Sequence, residues 1–524
     1  MKRITIILII ALLLSIFSGC SGSSSDNVST PSDVTNQEPD KYLNLAFCNN
    51  DVINPYKAVT EVNQKLSSLL YDSLVTLDSN YNVKFLLAED IKSDGKKHII
   101  TLKSTNFSDG TPLTASDIIY SAQQAKDSGY YSDLFSCVTS ITADNQKTVV
   151  IETKNIDNNF VNLLVFPIIK YNTANLTTNN NLPVPPIGCG KYTPDFDNYL
   201  LIRNENYHSK KPIANKINLV NIPDNEALSY AVSTGKISLW QDLYNGGETL
   251  TASGGTIQVV TNNLIYIGIN SKNQILNLPQ MRYALSAILD RNNICNETFN
   301  GYAVATSGIF NPAWSFISGL QENIDKPNNN IFLANLEEIG YNNLNTFGYH
   351  LTNDGETFAF DLVYCNDTQL KVSLANEIHS QFSKVGINTN IIGLGYEEYI
   401  NALNNKEFDL YIAETIISNN MDISSLVLSD GALNYGDVFE LTDTEDETSQ
   451  DTEKTVYTTF DDVLSAYFNG TVGIHDVINM FNLQTPLIPI CYKLDVASYQ
   501  HGVECSFNYS PCDPYYIVLD SYIK

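Results

Sequence analysis

Catalysis needs nucleophiles, acids, bases or metal ligands in a usable arrangement, and this chain of 524 residues scatters them. Its six histidines (His98, His208, His350, His379, His475, His501) include no H-E-x-x-H and no ligand pair on one helix face. Its nine cysteines show no C-x-x-C and no Cys/His spacing suited to zinc. Cys505 and Cys512 stand close enough in the tail to pair in an oxidising space, whereas small buried thiols suit most of the others. There is no G-x-S-x-G elbow and no phosphate-cradling glycine loop. Carboxylates are plentiful, and which two might share acid–base work is a question of space, not sequence. The inventory therefore points away from an enzyme, a cofactor or a resident metal. A binder asks for other things: polar groups at strand ends, aromatic walls, and charges for the ligand's own termini. Asn49, Asn50 and Asp51 follow the first predicted strand, so they suit a cleft floor or, equally, a turn cap.

The elements that must position such groups can be read from periodicity. In residues 107–125 (FSDGTPLTASDIIYSAQQA), Asp109-Gly110-Thr111-Pro112 has turn chemistry. Thr114 is placed as a helix N-cap with Asp117 beside the orphan amides, and Ile118, Ile119, Ala122 and Ala125 form one apolar face. Strands are predicted at 42–47, 99–102, 149–152, 200–207, 216–222 and 266–270. Helices are predicted around Leu66, Leu69 and Leu70, over 226–234, and from Pro279 with Met281, Ala284, Leu285 and Ile288 buried. An amphipathic helix at 370–385, stopped by Gly386, leads to strand 387–392, helix 396–404 and strand 408–413. That alternation is α/β.

Composition bounds the partners. A length of 524 residues exceeds one core, and 43% hydrophobic content supports several packed ones. A formal charge of −28 excludes nucleic acid as a partner and suits an exported, soluble surface. Lys2 and Arg3 precede the apolar run 4–17, which is short for a membrane span, and Ser18-Gly19-Cys20 closes it. A cysteine directly after small residues reads as a lipoprotein signal over 1–20, with Cys20 lipidated and anchoring the chain to the outer face of the cell membrane. Phe17 stands where such signals usually carry Leu. Residues 21–40, rich in Ser, Asp, Asn, Thr and Pro, read as a flexible tether. Residues 437–453 carry eight acids and no base, a solvated loop without EF-hand spacing.

The 107–125 stretch resembles the F-x-D-G-x-P signature of the bacterial extracellular solute-binding proteins of family 5, which include dipeptide-, oligopeptide- and nickel-binding proteins. Further resemblances follow in order. They are Tyr71-Asp72-Ser73-Leu74, Pro186-Ile187-Gly188-Cys189-Gly190-Lys191-Tyr192 (with Cys189 and Lys191 in place of Thr and Pro), Lys211-Pro212, Gly235-Lys236-Ile237, Tyr266-Ile267-Gly268-Ile269-Asn270, Arg282 through Asp290-Arg291, and Glu407-Phe408-Asp409-Leu410. The resemblance implies an α/β, two-lobed periplasmic-binding-protein-like fold of the large peptide-binding class. Residues 41–266 would form a discontinuous first lobe with a subdomain at about 80–184. Residues 267–484 would form the second lobe, and 485–524 would return to the first. Strands near 264–270 and 484–490 would be the hinge.

It also implies a function: a monomeric, lipid-anchored binding protein that delivers a small solute to the permease of an ABC importer. A short peptide is the first expectation, and an oligosaccharide or nickel chelate, or a non-transport receptor or adhesin, the alternatives. Trp240, with Gln241 and Asp242, falls where the family lines its cleft, although a core Trp is the competing reading. Trp314 is a further aromatic candidate for which packing is the favoured role. Peptide-binding members carry a Trp and an amine-anchoring Asp after Phe408-Asp409. This chain instead runs Glu414-Thr415-Ile416-Ile417-Ser418-Asn419-Asn420-Met421-Asp422. Glu414 or Asp422 takes the anchor, with Asn420 between them, or the ligand lacks an amine there, or both acids simply face solvent.

Overall fold

The computed structural model describes residues 42–246, 250, 252–321, 326–436, 457–505 and 509–524. Cys20 with its leader, the tether 21–40 and the acidic segment 437–453 lie outside them.

The described residues open with the strand Leu43–Phe47, parallel to Lys216–Asn221, and antiparallel pairing through Leu200–Arg203 and Tyr192–Asp195 completes a mixed sheet of four. The helix Glu61–Leu70 buries Val62, Leu66, Leu69 and Leu70, and Thr60 caps it by accepting from the Asn63 amide. Its C-terminal end is met at very short range by the turn that holds Gly188 and Gly190. The Gly190 amide donates to the Leu70 carbonyl at 3.0 Å, and a Cβ on Gly188 would lie 2.1 Å from the same oxygen. Glycine is needed there for closeness of approach.

A second sheet of four, Ala88–Asp94, Lys97–Leu102, Thr148–Thr153 and Val138–Asn145, packs with the helix Ala115–Lys126. The turn and cap read from sequence are both present. Asp109 accepts from the Thr111 amide at 3.0 Å and pairs with Lys170 at 2.6 Å, and Asp117 accepts from the Thr114 amide at 2.8 Å. Every one of these contacts is structural, so the most recognisable stretch of the sequence builds the scaffold.

The largest sheet runs Leu239–Leu243, Leu487–Tyr499, Gly255–Ile269, Leu410–Ile416, Ala359–Cys365, Asn388–Leu394, with Ala303–Ala305 also on Leu487–Tyr499. Its last three strands are parallel, and the helices Gln369–Lys384 and Tyr396–Asn405 supply the crossovers that parallel pairing requires. Alternate residues of Gly255–Ile269 enter different cores. Ile265, Ile267 and Ile269 face one cluster and Leu264 and Tyr266 another, so this end of the sheet is covered on both sides.

Gly255–Ile269 and Leu487–Tyr499 are much longer than the hinge strands expected near 264–270 and 484–490. They pair antiparallel along their length, but the register slips between Val260 and Leu264 and again between Ile265 and Tyr266. Arg282 and Arg291, the two arginines of one family-like motif, are fully buried. They hold the chain entering the second long strand: Arg282 Nε donates to the Gln484 carbonyl at 2.7 Å and Arg291 Nε to the Pro489 carbonyl at 2.8 Å. The pairing considered for Cys505 and Cys512 is not made, since both thiols are free. No helix among the described residues is long and apolar enough to cross a membrane.

Candidate functional site

Charged side chains inside an apolar sheet need a reason, and Leu487–Tyr499 holds two of them, Lys493 and Asp495. Lys493 is fully buried; its ammonium donates to Glu414 Oε1 at 2.9 Å and to Asn245 Oδ1 at 2.5 Å. Glu414 Oε1 also accepts from Asn263 Nδ2 at 2.7 Å. Asn263 lies in the Thr261-Asn262-Asn263 run where the two long strands slip register. There the Thr261 hydroxyl donates to the Lys493 carbonyl at 2.9 Å, in place of the regular ladder. Asn262 is held from two sides: Asn311 Nδ2 donates to its Oδ1 at 2.7 Å, and the Ile417 amide to its carbonyl at 2.9 Å.

Two residues along, Asp495 Oδ2 accepts from Gln241 Nε2 at 2.6 Å and from the Tyr509 hydroxyl at 2.8 Å. The neighbouring Asp242 carboxyl is pushed above its ordinary range by burial, an effect that Lys65 opposes and that Glu61 and Asp495 reinforce. Lys65 reaches in from the helix Glu61–Leu70. Its ammonium pairs with Glu61 at 2.6 Å, donates to the Gln241 carbonyl, and stands 4.6 Å from the centre of the Trp240 ring.

The result is one polar seam beside the strand slip, with four carboxylates (Glu61, Asp242, Asp495, Glu414) and two ammonium groups (Lys65, Lys493). Several of its buried atoms have no protein partner among the described residues, including Trp240 Nε1, Gln241 Oε1 and Asn263 Oδ1. Buried polar atoms are ordinarily satisfied, so the seam combines more carboxylates than ammonium groups with hydrogen-bonding capacity that no described residue takes up.

Of the residues singled out from sequence, the structure brings Trp240, Gln241, Asp242 and Glu414 to this seam. Trp240 is buried and packed with Ala46, Val62, Leu228 and Val232, which is the core placement of the competing reading. Asp51 serves as the loop cap: its carboxylate accepts from the Val52, Val59 and Thr60 amides and the Thr60 hydroxyl. Asn49 and Asn50 are exposed beside it. Trp314 is buried between Phe310 and Phe316, at ring distances of 5.6 and 5.3 Å. Asn420 and Asp422 line a separate cavity of about 600 Å³ that Asp157 shares. There Asn420 Nδ2 donates to Asp157 Oδ2 at 2.8 Å, and Asp422 caps the Ser424 amide at 2.9 Å.

Sequence reasoning missed Lys65, Asn263, Lys493, Asp495 and Tyr509. For Lys493 and Asp495 there was a signal, two opposite charges at i, i+2 in an otherwise apolar run. For Lys65 and Tyr509 there was none.

Comparison with known proteins places these features in context. The profile of the bacterial extracellular solute-binding proteins, family 5 (middle region), matches residues 82–437. The oligopeptide-binding protein AppA of Bacillus subtilis (strain 168) is 25% identical over 441 residues, 78% of this chain and 80% of AppA. The glutathione-binding protein GsiB of Shigella flexneri serotype 5b (strain 8401) is 24% identical over 277 residues, 50% of this chain and 54% of GsiB. Among solved structures, the unliganded open form of the periplasmic murein tripeptide-binding protein MppA superposes with a TM-score of 0.72. It is 17% identical and the match covers 93% of this chain and 98% of MppA. NikA of Brucella suis, in complex with Fe(III)-EDTA, gives a TM-score of 0.68 at 17% identity, covering 93% of this chain and all (100%) of NikA. The fold is thus the two-lobed α/β fold of this class of binding proteins.

Proposed function

Because the chain belongs to the bacterial extracellular solute-binding proteins of family 5, the soluble receptors of ABC importers, we propose that it captures a short peptide and delivers it to a membrane permease. The observation that carries the peptide reading is the polar seam. Its carboxylates outnumber its ammonium groups, which suits the α-ammonium of a peptide, and its unpartnered polar atoms suit peptide amides. The relationship to AppA over most of the chain supports the same reading.

In this account residues 41–266 and 485–524 form one lobe and 267–484 the other. The two long strands join them, and their register slip is the hinge. Ligand that touches both lobes shifts the population toward the closed form, which the permease recognises. Lipidation at Cys20 would keep the protein at the outer surface, next to that permease.

Thermal melting of ligand-stripped protein against mixtures of di- to pentapeptides tests the proposal. A saturating ligand at 100 times its Kd stabilises by about 2.7 kcal/mol, a readily measured rise in Tm. No rise with any peptide mixture would end the peptide assignment.

A further inference from the structure

After the strand Thr148–Thr153, residues 156–162 reach across to segments far along the chain. The Ile156 amide donates to the Phe468 carbonyl at 2.9 Å, where the helix Phe460–Phe468 ends. Asn420 Nδ2 donates to Asp157 Oδ2 at 2.8 Å, Asn159 Nδ2 to the Asn420 carbonyl at 3.3 Å, and Asn162 Nδ2 to the Asn419 carbonyl at 3.1 Å. On the lobe assignment proposed above, each of these bonds runs from one lobe to the other. The loop that receives them is strained: Met421 is buried with a φ of +60°, a left-handed conformation that disfavours any residue with a Cβ. Such strain persists only where the surroundings over-determine it, and Asn419 and Asn420 supply that hold.

Asp157 is the titratable member, and its surroundings leave the carboxylate without a counter-ion. It accepts from the Asn420 amide group and, at 2.8 Å, from the Asn159 backbone amide. Burial holds its carboxyl above the ordinary range against those two bonds, and the charge of Asp422 on the facing loop adds to the effect. Lys96 and Lys154 border the same cavity of about 600 Å³, but Lys96 Nζ donates to the Lys154 carbonyl at 2.6 Å and neither lysine pairs with Asp157. Asp461, across the cavity, accepts from the Ser429 amide and hydroxyl. Burial pushes the neighbouring Cys137 thiol up to about 11 and the Tyr467 phenol up to about 12, so both stay neutral.

We propose that residues 156–162 form a proton-sensitive latch between the lobes, with Asp157 as its pin: the acid form fastens it and the carboxylate loosens it. The inference rests on the two-lobe reading and holds whatever the ligand is. An ionised Asp157 in the latch has lost its water and meets Asp422 without a cation, whereas release restores its hydration. The latched form thus holds the proton more tightly than a released, hydrated form. The latch is strongest at and below the ordinary carboxylate range and weakens as pH rises through the raised value.

Small-angle X-ray scattering of ligand-stripped, full-length protein in a series from mildly acidic to neutral pH is the test. The radius of gyration of the native chain should rise with pH. In Asp157→Asn, whose amide keeps the shape without the charge, it should stay at the low-pH value, and in Asn420→Ala at the high-pH value. A pH response that Asp157→Asn retains overturns the latch. A radius that ignores pH but shrinks with a peptide mixture that raises the Tm overturns the latch and leaves the two-lobe reading standing. A radius that neither pH nor such a mixture changes overturns both.

Discussion

Lys493 and Glu414 illustrate how much of the seam depends on single charges. The ammonium is fully buried, and Glu414 is its only carboxylate partner among the described residues. Breaking a buried pair costs ~3–5 kcal/mol, but Glu414 is partly exposed and Asn245 would still accept from Lys493. Glu414→Ala should therefore destabilise the protein by about 2 kcal/mol, measured by urea unfolding. An unchanged midpoint would mean that the lysine is not held by this pair. Asp157 makes a different prediction. Burial raises its carboxyl above the usual 3.8, and nearby Asp422 adds to the shift. The folded state then holds this proton more tightly than the unfolded state. Its contribution to stability is complete below the unfolded value and is lost as pH rises through the folded one. Asp157→Asn removes that loss, so its Tm relative to the native protein should climb as pH rises above the ordinary carboxylate range, and a flat difference would contradict the assignment. Legibility at this scale was uneven. Glu414 and Trp240 could be reached through their place after recognisable motifs, whereas Lys65 is one lysine on a helix face and becomes informative only when Trp240 and Gln241 are found beneath it.

Elements were easier to read than their ends. The capped helix Ala115–Lys126 and the α/β alternation from Gln369 to Ile416 are local in origin, since caps, glycine stops and apolar periodicity act within a few residues. The two long strands are not local. Thr261, Asn262 and Asn263 stand before the predicted 266–270 strand, yet the observed strand runs through them because Asn311, Thr261 and Ile417 satisfy the polar groups that the ladder leaves. The turn 186–192 shows the converse. Glycines permit left-handed or very close backbone, and only the structure names the partner of Gly188 and Gly190 as the end of the helix Glu61–Leu70. Gly188→Ala would press a methyl onto the Leu70 carbonyl, where backbone rather than a side chain must yield. The expected cost is ~2–3 kcal/mol, read as a lower unfolding midpoint. Gly110→Ala sets a contrast: no atom lies near its Cβ, and only its φ of +83° is strained, so about 1 kcal/mol is expected. Equal losses from the two would refute the close-approach argument.

At the scale of the whole molecule, the α/β class and the family were legible because several motifs occur in a fixed order along the chain. The seam was not, because it joins residues as far apart as Lys65 and Gln241 or Asn245 and Lys493, across sheets and the returning tail. The proposed ligand site draws groups from the helix Glu61–Leu70, from the strand Leu410–Ile416 and from both long strands, so on that proposal one ligand would bias the arrangement of all of them. Small-angle X-ray scattering of ligand-stripped protein, before and after saturation with a peptide that raises its Tm, tests this most directly. The account predicts a smaller radius of gyration in the bound form, abolished when Glu414 and Asp242 are both replaced by alanine. A peptide that binds tightly to the native protein and leaves the scattering curve unchanged would contradict it.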